Sequence, residues 1–290
     1  MASSPLIVIV GQTASGKSAL AMELAEGFNG EIICADARTV YKGMDIGTAK
    51  PSAIDQARVP HHLLDMVEPG ESFTAADFKR LAQAAIEDIS ARGKLPILVG
   101  GTGLYIDAVL YDFQFRAPAD PKVRSELEKL SVEQLQERLS SLGLALPNNE
   151  RNPRHLIRAI EANGQPSERR PLRDNTLVIG LTFDQEVLGE RIRARLGVML
   201  EAGFIEEVRG LQERYDTSAA AFDTPGYRPF LDYLDGEISF DEARERFAKN
   251  DMNLAKRQKT WFKRNKSIQW VSSPRVGVEI ATTFLNKTAS

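Results

Sequence analysis

Eight residues near the N-terminus have the types and the spacing needed to hold a chain of phosphates. Residues 11–18 read Gly-Gln-Thr-Ala-Ser-Gly-Lys-Ser and satisfy the pattern G-x-x-x-x-G-K-[ST]. The glycines let the backbone wrap a phosphate with several N–H groups directed at its oxygens. Lys17 adds a mobile positive charge, and the Ser18 hydroxyl suits Mg²⁺. The segment predicts a diphosphate or triphosphate site, and an ordinary glycine turn is the alternative.

The neighbouring sequence places this segment, the phosphate loop, between a strand and a helix. An apolar run at 6–10 precedes it, and a helical pattern at 19–26 follows. A helix that begins near Gly16 directs the positive end of its dipole at a bound phosphate. The residues predicted to contact the phosphates are Gly11, Thr13, Ala14, Ser15, Gly16, Lys17 and Ser18.

A second residue suited to chemistry is Asp36, which directly follows a short apolar strand predicted at 31–35. Because ligands of parallel sheets bind at the carboxyl ends of the strands, Asp36 is expected beside the phosphate loop. A carboxylate there can take a proton from an incoming nucleophile if it lies within hydrogen-bond reach. Binding of a Mg²⁺-bound water and anchoring of a loop are the alternatives.

Glycines, and no carboxylate, follow the next buried strand, which is predicted at 95–99. ATPases and GTPases with a phosphate loop commonly hold their metal with an aspartate at such a position. Here the chain continues Gly-Gly-Thr-Gly at 100–103. Glycines and one hydroxyl suit the close approach of further phosphate oxygens or of a flat substrate, and a tight turn is the alternative.

His61 and His62 are adjacent, so in a strand their side chains point to opposite faces. We expect them to pack or to brace a loop rather than to share a metal. His155 is the third histidine of the chain, and the sequence predicts no zinc site.

Basic and aromatic residues are mixed at 256–266, a segment with six basic side chains and no acidic one. In a chain of formal net charge −3, this clustering predicts a local anionic partner. Trp261 and Phe262 either stack on bases or, as we expect, hold the segment against the core. A solvated helix face is the alternative for the charges. A second arginine-rich region at 151–173 is diluted by acidic residues.

The order of the predicted elements indicates an α/β fold, a P-loop NTPase-like parallel sheet flanked by helices. Further strands are expected at 60–65, 176–183 and 268–271, and helices at 74–92, 185–214 with a break at Gly203, and 239–265, the last long helix. The strand signal disappears between these blocks, where helices are predicted at 122–142 and 152–163. We therefore predict a small all-helical insertion domain at 118–175, set into a core of residues 1–117 and 176–290.

Composition excludes several classes of protein. With 42% hydrophobic and 27% charged residues the chain is typical of a globular protein, and no apolar run approaches the roughly 18 residues of a membrane helix. No secretory signal pattern fits the N-terminal residues. The one cysteine, Cys34, has no internal disulfide partner, which suits a reducing compartment. We expect a cytoplasmic protein without a membrane partner.

Taken together, these features resemble the tRNA dimethylallyltransferase family, also called the tRNA isopentenyltransferases. The matching segments lie at 11–18, 31–36, 41–51, 61–65, 100–105, 199–211 and 255–262, so the likeness spans nearly the whole chain. Many kinases share the phosphate loop. The more specific runs are Gly-Met-Asp-Ile-Gly-Thr-Ala-Lys-Pro at 43–51 and Lys-Arg-Gln-Lys-Thr-Trp-Phe at 256–262.

The resemblance implies transfer of a dimethylallyl group from its diphosphate to the exocyclic N6 amine of an adenosine next to the anticodon of tRNA. The phosphate loop then binds the prenyl diphosphate, with Mg²⁺ as cofactor at Ser18 and with Arg195 gripping the diphosphate. The implied catalytic residues are Asp36, Thr102 and Lys17. Implied contacts with the anticodon stem-loop of tRNA come from Asp36, Ala37, Arg38, Thr39, Thr102, Arg124, Arg154, Arg158, Tyr227, Arg228, Lys256, Arg257, Gln258, Lys259, Thr260, Trp261, Phe262 and Lys263. A monomer is expected.

The chain departs from the family pattern at several positions. The departures are Gln12 for proline, Ala37 for serine, Thr39 for glutamine, His155 for arginine, Pro225 for an aliphatic residue, and Asp251-Met252 for Thr-Arg.

Three other functions compete with tRNA prenylation. An adenylate isopentenyltransferase acting on free nucleotide is chemically the nearest, and the basic segments favour RNA over it. A small-molecule kinase with a phosphate loop leaves the basic-aromatic segment and the absent strand-end aspartate unexplained. A non-catalytic RNA-binding module does not need residues 11–18 intact.

Overall fold

The structure is a computed structural model that describes residues 4–115, 120–164 and 168–288. It divides into two compact units, one formed by Met1–Leu110 with Leu172–Ser290 and the other by Tyr111–Pro171. The second unit corresponds to the predicted insertion, with bounds of 111 and 171 in place of 118 and 175. The predicted boundary between 117 and 118 lies outside the described residues.

Six parallel strands form the sheet of the first unit. They are β1 (Leu6–Gly11), β2 (Gly30–Cys34), β3 (His61–His62), β4 (Leu95–Gly100), β5 (Thr176–Leu181) and β6 (Ile268–Val271). Their order is β3-β2-β4-β1-β5-β6, and Ile9 of β1 lies between Val99 and Ile179. Helices cover both faces of such a sheet, which explains why β1 is an uninterrupted apolar run. This arrangement confirms the predicted fold class, although β3 is shorter than the predicted strand at 60–65.

Twelve helices occur in the described part of the chain. In chain order they are α1 (Lys17–Gly27), α2 (Ala53–Arg58), α3 (Ala75–Ala91), α4 (Gly103–Leu110), α5 (Pro121–Glu128), α6 (Val132–Ser141), α7 (Pro153–Glu161), α8 (Gln185–Glu201), α9 (Phe204–Arg214), α10 (Tyr227–Leu234), α11 (Phe240–Phe262) and α12 (Pro274–Thr288). Two boundaries follow from clear sequence signals. Thr74 and Asp77 form a capping box at the start of α3, and Gly203, with φ at +94°, separates α8 from α9.

The prediction that 239–265 is the last long helix is wrong. That helix is α11, which ends at Phe262, and α12 follows β6. The buried residues of α12 are Gly277 and Ala281, and the partly buried side chains of Val278, Ile280, Phe284 and Leu285 pack against the core beside them. A Cβ atom on Gly277 would lie 2.9 Å from Leu20 Cδ2, which shows how closely α12 approaches α1.

The regular elements described in the second unit are the helices α5, α6 and α7, and Gln114 and Glu168 form an isolated antiparallel bridge. Its core joins α5, α6 and α7 and consists of Leu127, Leu135, Leu139, Leu156 and Ile157. Ser131 and Gln134 form the predicted capping box, which divides the segment 122–142 into α5 and α6.

Candidate active site at the phosphate loop

A cavity of about 350 Å³ opens at the carboxyl ends of β1, β2 and β4. Its lining combines the whole turn of the phosphate loop at 13–18 with Asp36 after β2, Gly100 and Gly101 after β4, and Arg195 from α8. The structure thus brings together the residues predicted to bind phosphate and the predicted base. Apolar and hydroxyl groups of the loop 48–51 lie on the same lining.

The phosphate loop has the geometry that its glycines permit. Gly11 has φ at +149°, and a Cβ atom there would lie 2.4 Å from the Leu181 carbonyl oxygen of β5. Gly16 precedes the first turn of α1 with φ at +87°. The Ser15 Oγ is buried and has no hydrogen-bond partner among the residues that the structure describes. A buried orphan hydroxyl inside such a loop is what a phosphate oxygen would satisfy.

Lys17 is the positive charge at the centre of the loop. Its Nζ donates a hydrogen bond to the Gln12 carbonyl oxygen at 2.6 Å. Removal of the ammonium group from water lowers the pKa of Lys17 to about 8, while the negative charge of Asp36 opposes this shift and the positive charge of Arg195 adds to it. Lys17 is therefore a cation that an incoming phosphate would stabilise.

Asp36 is held with its carboxylate on the cavity wall. Its Oδ1 accepts a hydrogen bond from the backbone N–H of Arg38 at 2.8 Å. The segment beyond β2 is in turn fixed by Thr102, whose Oγ1 accepts from the Ala37 N–H at 2.9 Å and whose own N–H donates to the Ala35 carbonyl at 3.3 Å. Thr102 thus ties the ends of β2 and β4 together, which sets the position of Asp36.

Gln258 of α11 occupies a position that sequence reasoning missed. Its Oε1 accepts from the Thr13 N–H at 2.7 Å, and its Nε2 donates to the Gly101 carbonyl at 3.2 Å. A Cβ atom on Gly101 would lie 2.2 Å from that Nε2, so the glycine is needed for this approach. Gln258 is 8% exposed, whereas the RNA contact predicted for it requires an exposed side chain. It instead fixes the phosphate loop to the glycine turn after β4.

Trp261 and Phe262 also face the protein, as expected for residues that hold the segment against the core. The Trp261 Nε1 donates to Asp107 Oδ2 at 3.0 Å, and the ring lies against Gly103. Phe262 is 1% exposed. Four other residues of this segment that are predicted to contact RNA are exposed, namely Lys256, Arg257, Thr260 and Lys263. Lys259 is half-buried. The basic face of α11 is thus separate from its buried face.

Arg195 reaches the phosphate loop from α8. Its Nη2 donates to Thr13 Oγ1 at 3.0 Å, and the guanidinium pairs with the carboxylate of Asp251 from α11. Burial raises the pKa of Asp251 above its usual value, although the neighbouring Arg195 opposes this shift. The Arg195 Nε is buried and, within the described chain, lacks a hydrogen-bond partner.

A single carboxylate fixes the loop between β2 and α2. Glu207 of α9 accepts hydrogen bonds from the N–H groups of Asp45, Ile46 and Gly47, at 2.9, 2.7 and 3.1 Å, and from the Tyr227 hydroxyl at 2.6 Å. Burial raises the pKa of Tyr227 far above its usual value. Tyr227 is fully buried, so the structure does not expose the RNA contact that was predicted for it.

The other residues predicted to contact RNA differ in exposure and in their hydrogen-bond partners. Thr39 is 6% exposed, and Ala37 is half-buried. Arg228 Nη2 donates to the Thr217 carbonyl at 2.9 Å, and Arg38 Nη1 donates to the Ala220 carbonyl at 3.5 Å. In the second unit, Arg154 and Arg158 are exposed, whereas Arg124 pairs with Glu161 at 2.9 Å.

Both adjacent histidines brace the structure, as the sequence predicts. His61 Nδ1 lies 2.8 Å from the Val59 carbonyl, and His62 Nε2 lies 2.8 Å from Glu31 Oε2. Burial lowers the pKa of His61.

In residues 4–115, 120–164 and 168–288, no group of three or more His, Cys, Asp and Glu side chains is placed to hold a metal ion. None of the helices in this part of the chain is long and apolar enough to cross a membrane.

Comparison with known proteins assigns the chain to a family. The family model described as IPP transferase matches residues 39–265. A tRNA dimethylallyltransferase of Geobacillus thermodenitrificans is 44% identical over 281 residues, covering 91% of this chain and 89% of that protein. One from a Roseiflexus species is 46% identical over 277 residues, covering 90% of each.

Solved structures agree with the sequence comparison. The crystal structure of a tRNA isopentenylpyrophosphate transferase from Bacillus halodurans is similar to this chain with a TM-score of 0.75 and 38% identity, covering 98% of this chain and 97% of that one. A eukaryotic dimethylallyltransferase acting on tRNA is similar with a TM-score of 0.83 and 26% identity, covering 98% and 80%.

Proposed function

The chain belongs to the IPP transferase family, and on that premise we propose that it is a tRNA dimethylallyltransferase. In this proposal it transfers a dimethylallyl group from dimethylallyl diphosphate to the exocyclic N6 amine of the adenosine next to the anticodon of tRNAs, and releases diphosphate. One observation carries the proposal. One cavity is lined by residues 13–18 of the phosphate loop and by Asp36, while glycines stand at the end of β4 where ATPases have an acid.

The reaction divides between the two walls of this cavity. A bond forms between N6 of adenosine and C1 of the prenyl chain, and the bond from C1 to the diphosphate oxygen breaks with its electron pair leaving on the diphosphate. Asp36 takes the proton that N6 loses. The loop N–H groups, Lys17 and Arg195 stabilise the negative charge that develops on the leaving diphosphate. Thr102 and Gln258 act as positioning residues, because each ties two elements of the site together.

Mg²⁺ fits the donors that the loop presents. The Ser18 hydroxyl lines the cavity on the exposed start of α1, and Mg²⁺ is commonly held by one or two protein oxygens together with substrate phosphates. When bound, Mg²⁺ would neutralise charge on the diphosphate. We assign Ser18 as its protein ligand.

The RNA side of the proposal rests on exposed basic residues. The target adenosine must leave its stack to reach the half-buried carboxylate of Asp36. The exposed face of α11, with Lys256, Arg257 and Lys263, offers phosphate contacts for the anticodon stem-loop. Arg154 and Arg158 offer further contacts from the second unit. We propose that a monomer is active, in the cytoplasm where tRNAs are found.

Incubation of the protein with dimethylallyl diphosphate, Mg²⁺ and bulk tRNA tests this function. Digestion to nucleosides followed by mass spectrometry should show prenylated adenosine, and parallel reactions with adenosine monophosphate should show none. Prenylated adenosine monophosphate without modified tRNA would support the free-nucleotide enzyme. ATP turnover with no prenyl transfer would support the kinase.

A further inference from the structure

Arg195 has two partners that make different demands on it. Its Nη2 donates to Thr13 Oγ1 of the phosphate loop at 3.0 Å, and the same nitrogen pairs with Asp251. The Asp251 side chain is 8% exposed, so little water screens its charge. A guanidinium that serves a diphosphate must offer N–H groups to phosphate oxygens. Asp251 already occupies one of these donors.

The two partners bind the same nitrogen of Arg195, which lies between two adjoining cavities. A second cavity of about 70 Å³ adjoins the phosphate-loop cavity, and both share Thr13, Asp36, Thr48 and Arg195 in their linings. Asp251 lines the smaller cavity, whereas the turn of the phosphate loop lines the larger one. Arg195 and Thr13 therefore lie in the common wall, and Asp251 contacts the guanidinium from the lining of the smaller cavity.

Asp251 is buried, so its negative charge opposes the binding of an anionic ligand nearby. Burial raises the pKa of Asp251 in spite of the Arg195 pair, and the nearby Asp36 adds to the rise. Asp251 nevertheless pairs with Arg195, so this guanidinium already has an acidic partner of the protein before any ligand arrives. Its buried Nε still lacks a partner among the described residues, so the guanidinium has donor capacity left for a phosphate oxygen.

We propose that Asp251 is an internal competitor of the phosphate ligand for Arg195, and that it lowers the affinity of the site more for ligands that carry more negative charge. Asp251 is then a residue that sets ligand affinity and favours a diphosphate over a triphosphate. The inference rests on the proposed function in one respect, namely that the larger cavity holds a diphosphate.

The test uses the full chain and two simple probes, inorganic diphosphate and inorganic tripolyphosphate. Their dissociation constants are measured by isothermal titration at equal ionic strength for the wild type, Asp251→Asn and Asp241→Asn. Asp241 lies at the start of the same helix with its side chain 87% exposed. Its variant therefore removes the same charge at a position that water screens. We expect Asp251→Asn to bind diphosphate about tenfold more tightly and tripolyphosphate more tightly still. Asp241→Asn should stay within about twofold of the wild type.

Unchanged or weaker diphosphate binding by Asp251→Asn would overturn the inference, since a residue that only orients Arg195 predicts that loss. If that variant does not fold by circular dichroism, Asp251→Thr replaces it with the same expected outcome. Absence of diphosphate binding in every chain would overturn the proposed function together with the inference, whereas binding without the Asp251 effect overturns the inference alone.

Discussion

Strand β2 has a carboxylate near each end, and the two are held in opposite ways. Near its start, Glu31 accepts hydrogen bonds from Arg92 Nη2 and Lys94 Nζ, both at 2.7 Å, and lies 2.8 Å from His62 Nε2. Its side chain is 3% exposed. Beyond the other end, Asp36 accepts a backbone hydrogen bond from Arg38 and lines the cavity. One acid is enclosed by basic partners, and the other keeps oxygen atoms open to a ligand.

The difference separates a structural acid from one available for chemistry. Hydrogen bonds from Arg92 first, and then from Lys94 and His62, hold the pKa of Glu31 well below its usual range, against the effect of burial. Such a carboxylate cannot collect a proton near neutral pH. Asp36 has its remaining lone pairs beside the phosphate loop, where a nucleophile would arrive. The same strand therefore supplies stability at one end and reactivity at the other.

The largest effect on turnover is expected from a substitution of Asp36, at the reactive end of β2. Asp36→Asn keeps the shape of the side chain and removes the base, so kcat for prenyl transfer on saturating tRNA should fall about 10² to 10⁴-fold. The free energy of unfolding should change by less than about 1 kcal/mol, because no buried ion pair is broken. Near wild-type turnover in Asp36→Asn would show that this carboxylate is not the base.

A second prediction compares two lysines, one at each end of the sheet. Lys17→Ala removes a charge from the phosphate loop and should lower prenyl transfer by about 10² to 10³-fold or more. The matched variant is Lys94→Ala, which removes a lysine that pairs with Glu31. It should cost stability and leave kcat within about twofold of the wild type. Equal losses of turnover in both variants would contradict the division between the two ends.

The charge of Lys17 also predicts a pH dependence. Its pKa is lowered to about 8, so the free protein loses this positive charge as pH rises through that value. The affinity of the wild type for inorganic diphosphate, measured by titration at a series of pH values, should therefore fall above pH 8 or rise less steeply than the affinity of Lys17→Arg. Lys17→Arg stays charged throughout and should not show this loss.

Glu31→Gln removes the charge of the structural acid near the start of β2. The variant loses charged hydrogen bonds, and we expect unfolding free energy near pH 7 to fall by about 2 kcal/mol with little change in kcat. Because the folded pKa of Glu31 is depressed, its contribution is complete above the unfolded value of 4.5 and is lost as pH falls below it. Urea unfolding curves of both chains should therefore converge toward acid pH. A constant gap from pH 7 to pH 3 would argue against this role.

The smallest expected effect lies outside β2 and sharpens the comparison. Neutralising Lys256, Arg257, Lys263 and Arg264 together should weaken tRNA binding about tenfold at moderate salt and reduce the salt slope by about 3. Diphosphate binding should be unchanged, because these side chains are exposed and Gln258 between them is left intact. Neutralising Arg244 and Lys249 in the first half of α11 is the control. Filter-binding curves that overlap at every salt concentration would mark the basic face as merely solvated.

Local signals in the sequence were sufficient for the reactive end of the sheet. Glycine and lysine spacing defined the phosphate loop, and Asp36 followed an apolar run that had to be a strand. Since parallel strands share one carboxyl edge, these two facts placed Asp36 and Lys17 in one cavity, as the structure shows.

No helix was predicted at Tyr227–Leu234, where α10 has Pro229 in its first turn, a position that helices tolerate. The residues whose roles were missed depend on contacts distant in sequence. Gln258 lies in a basic segment, and no local pattern distinguishes a buried amide from an exposed one. Its partners Thr13 and Gly101 are 245 and 157 residues away. Likewise, the pairing of Asp251 with Arg195 joins two helices and has no signature in either one.

The hydrogen bond between Thr13 and Gln258 also has a consequence for protein synthesis. Residues 11–18 leave the ribosome long before their partner in α11, because the acceptor for the Thr13 N–H is translated 245 residues later. Arg195, which lines the cavity, and Glu207, which holds the loop at 45–47, are likewise translated long after the phosphate loop. A nascent chain thus displays the complete phosphate-loop sequence long before it can possess the finished pocket, so the first and last parts of the site mature together.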